Sequence, residues 1–443
     1  MENAPLKISI SGIRGIVGKT LTEAVVRDFA EAFATVSKKG KILVAQDTRP
    51  SGKRFRRIAE EALRGRGRAV VDLGITPTPT VLLNVRLLRA AGGMVLTASH
   101  NPSEWNGLKF VGADGQFLDT GAMKRLVRTW SERSFLGRAK RGTISQNRSG
   151  LSRHVRAILR GVNVRKIRAA RFHVAIDPCN GTGAVVTEPF LKALGCRVTA
   201  INNRPDGRFA HPPEPTPAHL SQLASLVKKK GAQIGFAQDP DGDRLAVVSD
   251  QGIPLSGEYT LALAVDHILS KKRSPIVINL STSRMIEDLA RQRKVKVYRS
   301  KIGERYVIEK MRKVKAGIGG EGNGGVIYPA INPARDSLVG IALILESLAE
   351  SGKTVSELIS RFSHYEMMQE KLTLSKEKMD ALLAKLPTLF KGGKVTRLDG
   401  VRIDLPRGWI HARPSNTEPI VRLIAEAPSQ KEAKSLLDTV LKS

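Results

Sequence analysis

A short acidic segment contains the residues of this 443-residue sequence whose chemistry is easiest to predict. Asp239, Asp241 and Asp243 alternate in DPDGDR, where Pro240 and Gly242 favour a loop. Three carboxylates this close repel one another unless a cation lies among them. Hard oxygen ligands of this kind suit Mg²⁺, which usually keeps positions open for water or a phosphate. We therefore predict a magnesium site at this loop.

Three other interpretations of the acidic run fit less well. A calcium-binding EF-hand loop needs glycine at the sixth position, where this sequence has Arg244. An aspartyl-phosphate phosphatase motif has Thr or Val at the fifth position, which is Asp243 here. An acidic turn at the surface with no bound cation would leave the repulsion between the three carboxylates uncompensated.

A serine on an Asn-Pro turn is the second candidate. Ser99 and His100 end the apolar run GMVL in the segment TASHNP. We expect His100 to point away from Ser99, because neighbours in an extended segment face opposite sides. No G-x-S-x-G motif surrounds the serine, so a serine hydrolase is not favoured. A serine before an Asn-Pro turn is often only a turn residue with no chemical role. Beside a Mg²⁺ ion, however, its hydroxyl oxygen could carry a phosphoryl group.

A polar loop near the carboxyl end suits phosphate binding. The segment RPSNTEP crowds hydrogen-bond donors onto one turn through Arg413, Ser415, Asn416 and Thr417. A guanidinium with hydroxyls and main-chain N–H groups is a good phosphate cradle. An ordinary Ser/Asn turn has the same composition, so this loop alone stays ambiguous.

A glycine-rich segment suits a polyhydroxyl ligand. In GGEGNGG the glycines let the main chain approach a ligand closely. Glu321 and Asn323 can accept from and donate to neighbouring hydroxyl groups. A flexible lid without contacts is the alternative for the same composition.

Alternating strand and helix patterns predict how these loops are positioned. Three rounds of apolar strand runs and helical patterns begin near residues 41, 172 and 274, which is typical of βαβ units with mostly parallel sheets. They end in the polar segments Ser99–His100, Asp239–Arg244 and Gly320–Gly325. Because ligands of open α/β sheets bind beyond the carboxyl ends of the strands, we expect these segments to line one cleft.

The last part of the chain has a different pattern. A helix precedes the paired strands KVTRLDGVRIDL and GWIHARP, and the strand IVRLIAEA leads to a final helix. Ser429 with Glu432 three residues on predicts the cap of that helix. These features indicate a small α+β domain. We place the four domains at 1–150, 151–253, 254–365 and 366–443.

The net charge of +32 predicts anionic partners without naming them. Between Arg133 and Arg171 the sequence has no acidic residue, so a nucleic-acid surface is one alternative. Aromatic residues are only 5%, which argues against a base-stacking platform. We favour a solvated linker and helix face. The sequence shows neither a membrane-spanning run nor a signal-peptide pattern, and its two cysteines fit a cytoplasmic location.

The four loops, in this order, resemble those of the α-D-phosphohexomutase family, which includes phosphoglucomutase, phosphomannomutase and phosphoglucosamine mutase. TASHNP is similar to the family's phosphoserine loop, DPDGDR to its metal loop, GEGNGG to its sugar loop and RPSNTEP to its phosphate loop. The resemblance covers essentially the whole chain. It implies three topologically similar α/β domains with mixed, mostly parallel sheets and a C-terminal α+β domain around a central cleft.

The resemblance also implies the chemistry. A phosphoserine donates its phosphoryl group to a hexose monophosphate, a hexose bisphosphate forms as intermediate and activator, and the other phosphate returns to the serine. One Mg²⁺ per chain would be held by Ser99, Asp239, Asp241 and Asp243. Substrate would be bound by Glu321, Asn323, Arg413, Ser415, Asn416 and Thr417.

Catalytic roles would fall to Ser99, His100, Lys109, Arg14 and Arg244. We expect Lys109 to be the general base, since nearby cations lower the pKa of a lysine. Arg14 stays protonated and would orient the phosphoryl group. His100 would support Ser99, and Arg244 would steady the moving phosphoryl group.

Two positions depart from the pattern of many relatives, which carry Ser where this chain has Asn323 and His where it has Gly325. The form GEGNGG resembles the archaeal-type phosphoglucosamine mutase group, so glucosamine phosphate is the first candidate substrate. Mannose and glucose phosphates are the alternatives. We expect sugar phosphates as the partners, with no membrane and no specific nucleic acid, and a monomer or homodimer.

Overall fold

The computed structural model describes residues 6–137, 139–415 and 420–442. These residues form four sheets with helices packed on them. Among them, no helix has the length and apolarity to cross a bilayer. We call each sheet with its helices a unit, numbered along the chain.

The first unit has a sheet in the spatial order β1-β2-β6-β5-β3-β4-β7. Its strands are Lys7–Ser9 (β1), Gly12–Ile16 (β2), Ile42–Gln46 (β3), Val70–Ile75 (β4), Gly92–Leu96 (β5), Trp105–Gly112 (β6) and Ile144–Gln146 (β7). Its helices are Glu23–Val36 (α1), Gly52–Gly65 (α2), Thr78–Leu87 (α3) and Thr120–Ser131 (α4). The central strands β3 and β5 are buried along their whole length, as their apolar sequences predict.

The second unit has the sheet order β11-β10-β8-β9. Its helices are Gly150–Gly161 (α5), Val164–Ala170 (α6), Thr187–Ala193 (α7) and Ser221–Lys230 (α8), with 3₁₀ turns at Thr182–Val185 and Pro217–His219. Its strands are His173–Asp177 (β8), Arg197–Ala200 (β9), Ile234–Gln238 (β10) and Leu245–Val248 (β11). Much of the basic stretch singled out in the sequence lies on α5 and α6, where most of its charged side chains are exposed or half-buried.

The third unit has the sheet order β13-β12-β14-β15-β16. Its strands are Ile276–Asn279 (β12), Val297–Ser300 (β13), Ile318–Glu321 (β14), Gly325–Tyr328 (β15) and Asn332–Arg335 (β16). Its helices are Gly257–Lys271 (α9), Met285–Gln292 (α10), Glu304–Val314 (α11), Ser337–Ser351 (α12) and Val355–Ile359 (α13).

The fourth unit is an antiparallel sheet in the order β17-β21-β20-β19-β18. Its strands are Glu366–Thr373 (β17), Lys394–Thr396 (β18), Val401–Leu405 (β19), Gly408–Pro414 (β20) and Ile420–Ala427 (β21), and its helices are Lys376–Leu389 (α14) and Gln430–Leu441 (α15). The Ser429 hydroxyl accepts from the Glu432 N–H at the start of α15, which confirms the predicted cap.

The first three units share one topology. Their central strands run β4-β3-β5-β6, β9-β8-β10-β11 and β13-β12-β14-β15. In each set the first two neighbouring pairs are parallel and the last pair is antiparallel. This confirms the predicted set of three similar α/β domains with mixed sheets and a C-terminal α+β domain.

Buried polar contacts hold the first three units together. His154 on α5 lies with Nδ1 2.7 Å from Thr80 Oγ1 on α3 and with Nε2 2.7 Å from Asp336 Oδ2 at the start of α12. One fully buried side chain thus links three units. One apolar core also runs from Ile158 in the second unit to Phe362 in the third, so these two units pack as a single body.

Candidate active site

Ser99 lies in a tight turn just beyond β5. Its φ of +52° is in the left-handed region, and its N–H donates to Thr97 Oγ1 at 2.9 Å. The side chain is buried, and Oγ donates to Asp239 Oδ2 at 3.1 Å. A non-glycine residue in this conformation is uncommon and costs about 1–3 kcal/mol, so the surrounding contacts must hold it.

The orientation predicted for His100 is wrong. Its Nδ1 lies 3.4 Å from Ser99 Oγ, so the ring turns toward the hydroxyl. The expected alternation requires an extended main chain, and the positive φ of Ser99 removes that condition. Burial and the nearby Arg244 and Arg14 guanidinium groups lower the pKa of His100 to about 2, which keeps the ring neutral.

Arg49 holds the serine turn in place. Its guanidinium donates to the carbonyls of Ser99 and Asn101, each at 2.6 Å, and to those of Pro102 at 2.5 Å and Trp105 at 3.0 Å. Its Nε donates to Asp47 Oδ2 at 3.0 Å, and both side chains are fully buried. This planar donor set fixes the turn that carries the hydroxyl.

The three aspartates come together as predicted. One oxygen of each lies within 4.8 Å of the others, and all three side chains are buried. Thr78 Oγ1 donates to Asp241 Oδ2 at 2.5 Å, and Ser337 Oγ donates to the Gly242 carbonyl at 2.7 Å. The loop between β10 and β11 is therefore fixed from both the first and the third unit.

The donor set fits a hard divalent cation. Within the described residues, the buried Oδ1 atoms of Asp241 and Asp243 have no hydrogen-bond partner. Burial and the two neighbouring carboxylates raise the pKa of Asp239 well above its usual value. Carboxylate oxygens left unpaired in this way match the ligands that Mg²⁺ prefers.

The expected lowering of the Lys109 pKa is wrong. Its ammonium lies 2.6 Å from Asp241 Oδ2 and 3.2 Å from Asp243 Oδ2. Burial alone would lower the pKa of Lys109, but these two carboxylates outweigh burial and the nearby arginines and raise it. Lys109 lies in β6, which pairs antiparallel with β5, and its ammonium contacts the acidic loop of the second unit.

Two arginines add positive charge beside Ser99. Arg14 Nη1 donates to Asn101 Oδ1 at 3.0 Å. Arg244 Nη1 donates to Glu214 Oε1 at 2.6 Å, and its Nε lies 3.9 Å from Asp243 Oδ1. Both arginines line the central cleft, as their predicted roles require.

The glycine-rich segment is a tight hairpin rather than a flexible lid. Its first glycines belong to β14 and Gly325 to β15, with Glu321 directly opposite Gly325. The turn glycine Gly324 has a φ of +84°, and its carbonyl accepts from the Leu245 N–H at 3.2 Å. The hairpin is thereby attached to β11, next to the acidic loop.

Glu321 is held by three donors at the cleft surface. Its Oε1 accepts from Asn279 Nδ2 at 2.9 Å and from the Gly303 N–H at 2.8 Å. Its Oε2 accepts from Arg335 Nη1 at 2.7 Å. Asn323 is exposed and lines the same cleft, so both predicted sugar-binding residues face one space.

The predicted phosphate loop begins at Arg413 and Pro414, the last residues of β20 in the fourth unit. Arg413 lines the cleft and pairs with Asp399, with Nε 3.1 Å from Oδ2. Ser415 ends the described part of this loop, and its N–H donates to the Ile420 carbonyl at 2.8 Å. Asn416 and Thr417 lie outside the described residues.

A central cleft of about 1030 Å³ brings the four loops together. Residues from all four units line it, among them Arg14, Arg244, Glu321 and Arg413. Ser99 and the aspartates are buried next to His100 and Lys109, which line the same space. The predicted convergence of the polar loops in one cleft is confirmed.

Two arginines that organise this site, Arg49 and Arg335, were not among the predicted site residues. Arg49 follows β3 in the segment DTR, an end-of-strand position that could have marked it. Arg335 contacts Asp243, Glu321 and Glu304, which are far from it in sequence. No local sequence pattern predicts a cluster formed by residues that are distant in the sequence.

Comparison with known proteins assigns all four units. Family models described as phosphoglucomutase/phosphomannomutase alpha/beta/alpha domains I, II and III match residues 6–136, 152–252 and 256–365, and the C-terminal domain model matches residues 369–443.

Relatives match along nearly the whole chain. A Thermococcus kodakarensis protein named phosphoglucomutase/phosphomannomutase is 34% identical over 442 residues, covering 97% of this chain and 96% of the relative. A probable phosphoglucosamine mutase of Methanopyrus kandleri is 31% identical over 433 residues, with 97% and 95% covered. The crystal structure of a phosphoglucomutase/phosphomannomutase family protein from Burkholderia thailandensis is 28% identical with a TM-score of 0.87, covering 98% of this chain and 97% of that one.

Proposed function

The chain belongs to the phosphoglucomutase/phosphomannomutase family of phosphohexomutases, and from that premise we propose that it interconverts hexose 6-phosphate and hexose 1-phosphate through a phosphoserine at Ser99. A hexose bisphosphate is the intermediate and activator. Glucosamine phosphate is the first candidate substrate.

One observation carries this proposal: the Ser99 hydroxyl lies 3.1 Å from Asp239, within a buried group of three carboxylates. A serine that served only its turn would not need a second unit's acidic loop at hydrogen-bond distance. A serine that exchanges a dianionic phosphoryl group needs a cation there, and the unpaired aspartate oxygens offer its ligands.

Asp239, Asp241 and Asp243 would hold the cation together with a phosphoserine oxygen. A bound Mg²⁺ would neutralise charge on the transferring phosphoryl group. The chain's own cations, Lys109 and Arg244, lie on the cleft side of this site. We propose that Lys109 neutralises charge at this site, because its ammonium lies 2.6 Å from Asp241 Oδ2 and 3.2 Å from Asp243 Oδ2.

The transfer step conserves its atoms. The bond between phosphorus and Ser99 Oγ breaks as a sugar hydroxyl oxygen bonds to phosphorus, and the proton of that hydroxyl ends on Ser99 Oγ, which is left as a hydroxyl. Ser99 Oγ is left with Asp239 and the neutral His100 ring beside it. In the second half of the reaction, the other phosphate of the bisphosphate is transferred to Ser99, so the sugar must reorient in the cleft between the two transfers.

The fourth unit's side of the cleft would bind the phosphate that does not react. Arg413 presents a guanidinium there, and Ser415, Asn416 and Thr417 are proposed to complete the phosphate cradle. Glu321 and Asn323 would bind sugar hydroxyls between the two phosphate positions. Because Glu321 is already fixed by three donors, it can accept from a hydroxyl without reorganising.

The choice of glucosamine phosphate rests on the relatives. Archaeal relatives of this chain, including that of Methanopyrus kandleri, are named probable phosphoglucosamine mutase. Mannose and glucose phosphates remain the alternative substrates.

A coupled assay tests the proposal with glucosamine, mannose and glucose 6-phosphates, each with a trace of the matching bisphosphate. We expect turnover with at least one sugar and none for Ser99→Ala, whose melting temperature should stay near that of the wild type. The labelled phosphoryl-enzyme should survive acid and be lost in strong base. Release by hydroxylamine would indicate an acyl phosphate and contradict the proposal, as would undiminished turnover by Ser99→Ala.

The domain boundaries, the cellular location and the oligomeric state are also proposals. We place domain boundaries near residues 150, 254 and 366, and we propose a cytoplasmic enzyme that acts as a monomer or homodimer on small sugar phosphates.

A further inference from the structure

Arg335 stands at the centre of an ion-pair network that no assignment above explains. The residue ends β16, and its side chain is 11% exposed at the cleft. Nη2 lies 2.6 Å from Asp243 Oδ2, Nη1 lies 2.7 Å from Glu321 Oε2 and Nε lies 3.1 Å from Glu304 Oε2. Each nitrogen of the guanidinium therefore faces a different carboxylate.

These partners belong to different parts of the site. Asp243 comes from the acidic loop of the second unit, Glu321 from the hairpin of the third and Glu304 from the start of α11. The Arg335 N–H also donates to Glu304 Oε1 at 3.1 Å, which anchors the main chain of the arginine. A planar donor set with fixed angles holds such partners at fixed relative positions, which a lysine cannot do.

The same side chain fills the space above Gly325. A Cβ atom on Gly325 would overlap Arg335 Cδ and lie 3.0 Å from Cγ. The stem of Arg335 cannot move aside cheaply, because its three nitrogens are all engaged beyond that point. Glycine at position 325, directly opposite Glu321, is thus the counterpart of the arginine.

We propose that Arg335 is a positioning residue: its guanidinium fixes the metal-ligating Asp243 and the sugar-binding Glu321 in one geometry, and its stem requires glycine at 325. The inference rests on the proposed function for the roles of Asp243 and Glu321. The contact between Arg335 and Gly325 does not depend on that function.

The first experiment compares Arg335→Met and Arg335→Lys with the control Arg128→Met, whose arginine is exposed on α4. We expect kcat/KM to fall about a hundredfold for Arg335→Met, since a misplacement of about 1 Å can cost that much. Arg335→Lys keeps the charge but not the planar fork, so we expect an intermediate loss. Arg128→Met should behave as the wild type.

A binding measurement separates positioning from charge. Calorimetric titration with Mg²⁺ alone should show binding about tenfold weaker in Arg335→Met, because Asp243 is no longer held in the geometry that ligates the cation. Arg335→Lys keeps the positive charge, so weaker binding in this variant as well points to the lost planar contact and not to the lost charge. Mg²⁺ binding or a kcat/KM within threefold of the wild type in Arg335→Met would overturn the proposal.

A double-mutant cycle tests the steric part without activity. Gly325→Ala should lower the melting temperature in the wild-type background and have little effect in the Arg335→Ala background, because the overlapping stem is gone. Equal shifts in both backgrounds would refute the pairing. If the wild type turned over none of the sugar phosphates, the proposed function would fail, while the Mg²⁺ titration and this cycle would still decide the role of Arg335.

Discussion

Replacement of Arg49 by methionine should release the turn that carries Ser99. The Arg49 guanidinium donates to four main-chain carbonyls between Ser99 and Trp105 and to the Asp47 carboxylate. The side chain is fully buried, so methionine leaves these acceptors without a donor and Asp47 without its counter-ion. The turn then lacks the contacts that offset the left-handed conformation of Ser99.

The magnitude follows from the buried pair rather than from the sum of its bonds. Hydrogen bonds to a charged group contribute about 1.5–3 kcal/mol each but do not add, and removing one partner of a buried ion pair costs about 3–5 kcal/mol. We expect the local free energy of opening of this turn to fall by about 3 kcal/mol, which corresponds to roughly a hundredfold faster amide exchange.

Hydrogen–deuterium exchange reads this out directly. The Asn101 N–H donates to the Ala98 carbonyl at 3.2 Å and the Trp105 N–H to the Pro102 carbonyl at 3.0 Å, so peptides covering this segment should lose protection. The matched control is Arg54→Met on α2, whose side chain is 74% exposed. Exchange in Arg49→Met within threefold of the wild type would refute the reasoning.

Three further outcomes are expected. Glu346 accepts hydrogen bonds from His267 and Lys271, and although burial opposes the shift, these donors lower its pKa to about 2. The ionised carboxylate therefore stabilises the fold above about pH 4.5, and this stabilisation is lost as the pH falls toward 2. In denaturant titrations, Glu346→Gln should be about 2 kcal/mol less stable than the wild type at neutral pH, and this difference should vanish between about pH 4.5 and pH 2. Asp241→Asn should abolish the rise in melting temperature that Mg²⁺ gives the wild type, whereas Asp28→Asn on α1, which pairs with Arg133 and not with the acidic loop, should keep it. An equal rise in both variants would contradict the assigned site. Gly324→Ala should lower the free energy of unfolding by more than about 1 kcal/mol, since φ is +84° and a Cβ would overlap the Leu245 carbonyl. Gly65→Ala at the end of α2, where a Cβ meets open space, should be neutral or stabilising, and equal melting temperatures for the two variants would count against this account.

The convergence of the polar loops could be predicted because its signals are local. Apolar runs of strand length mark β5, β10 and the strands beside them, and the polar residues that follow must lie at the carboxyl edge of each sheet. Strand β17 was missed because its mixed sequence EMMQEKLT lacks a regular apolar alternation, and it is defined by pairing with β21 and by the packing of Met368 and Leu372 on the core. Glycines at 319, 320 and 325 were taken as loop residues, whereas they lie in strands β14 and β15, closely packed against neighbouring strands and side chains.

The errors at the site come from contacts between distant residues. The direction of His100 depends on one positive φ at Ser99, which a sequence pattern does not specify. The protonation of Lys109 depends on carboxylates more than 130 positions away. Charge effects of this kind require coordinates, since burial and the neighbouring arginines would have lowered the pKa of this lysine without the two carboxylates.

The fit of the Arg335 stem over Gly325 also limits how homologous enzymes can diverge. A larger residue at the hairpin position is admissible only in a lineage whose β16 arginine has been lost or redirected, and the arginine can arise only where glycine already stands. The two sites, ten residues apart, should therefore be exchanged in a fixed order along any phylogeny, with glycine first to appear and last to leave.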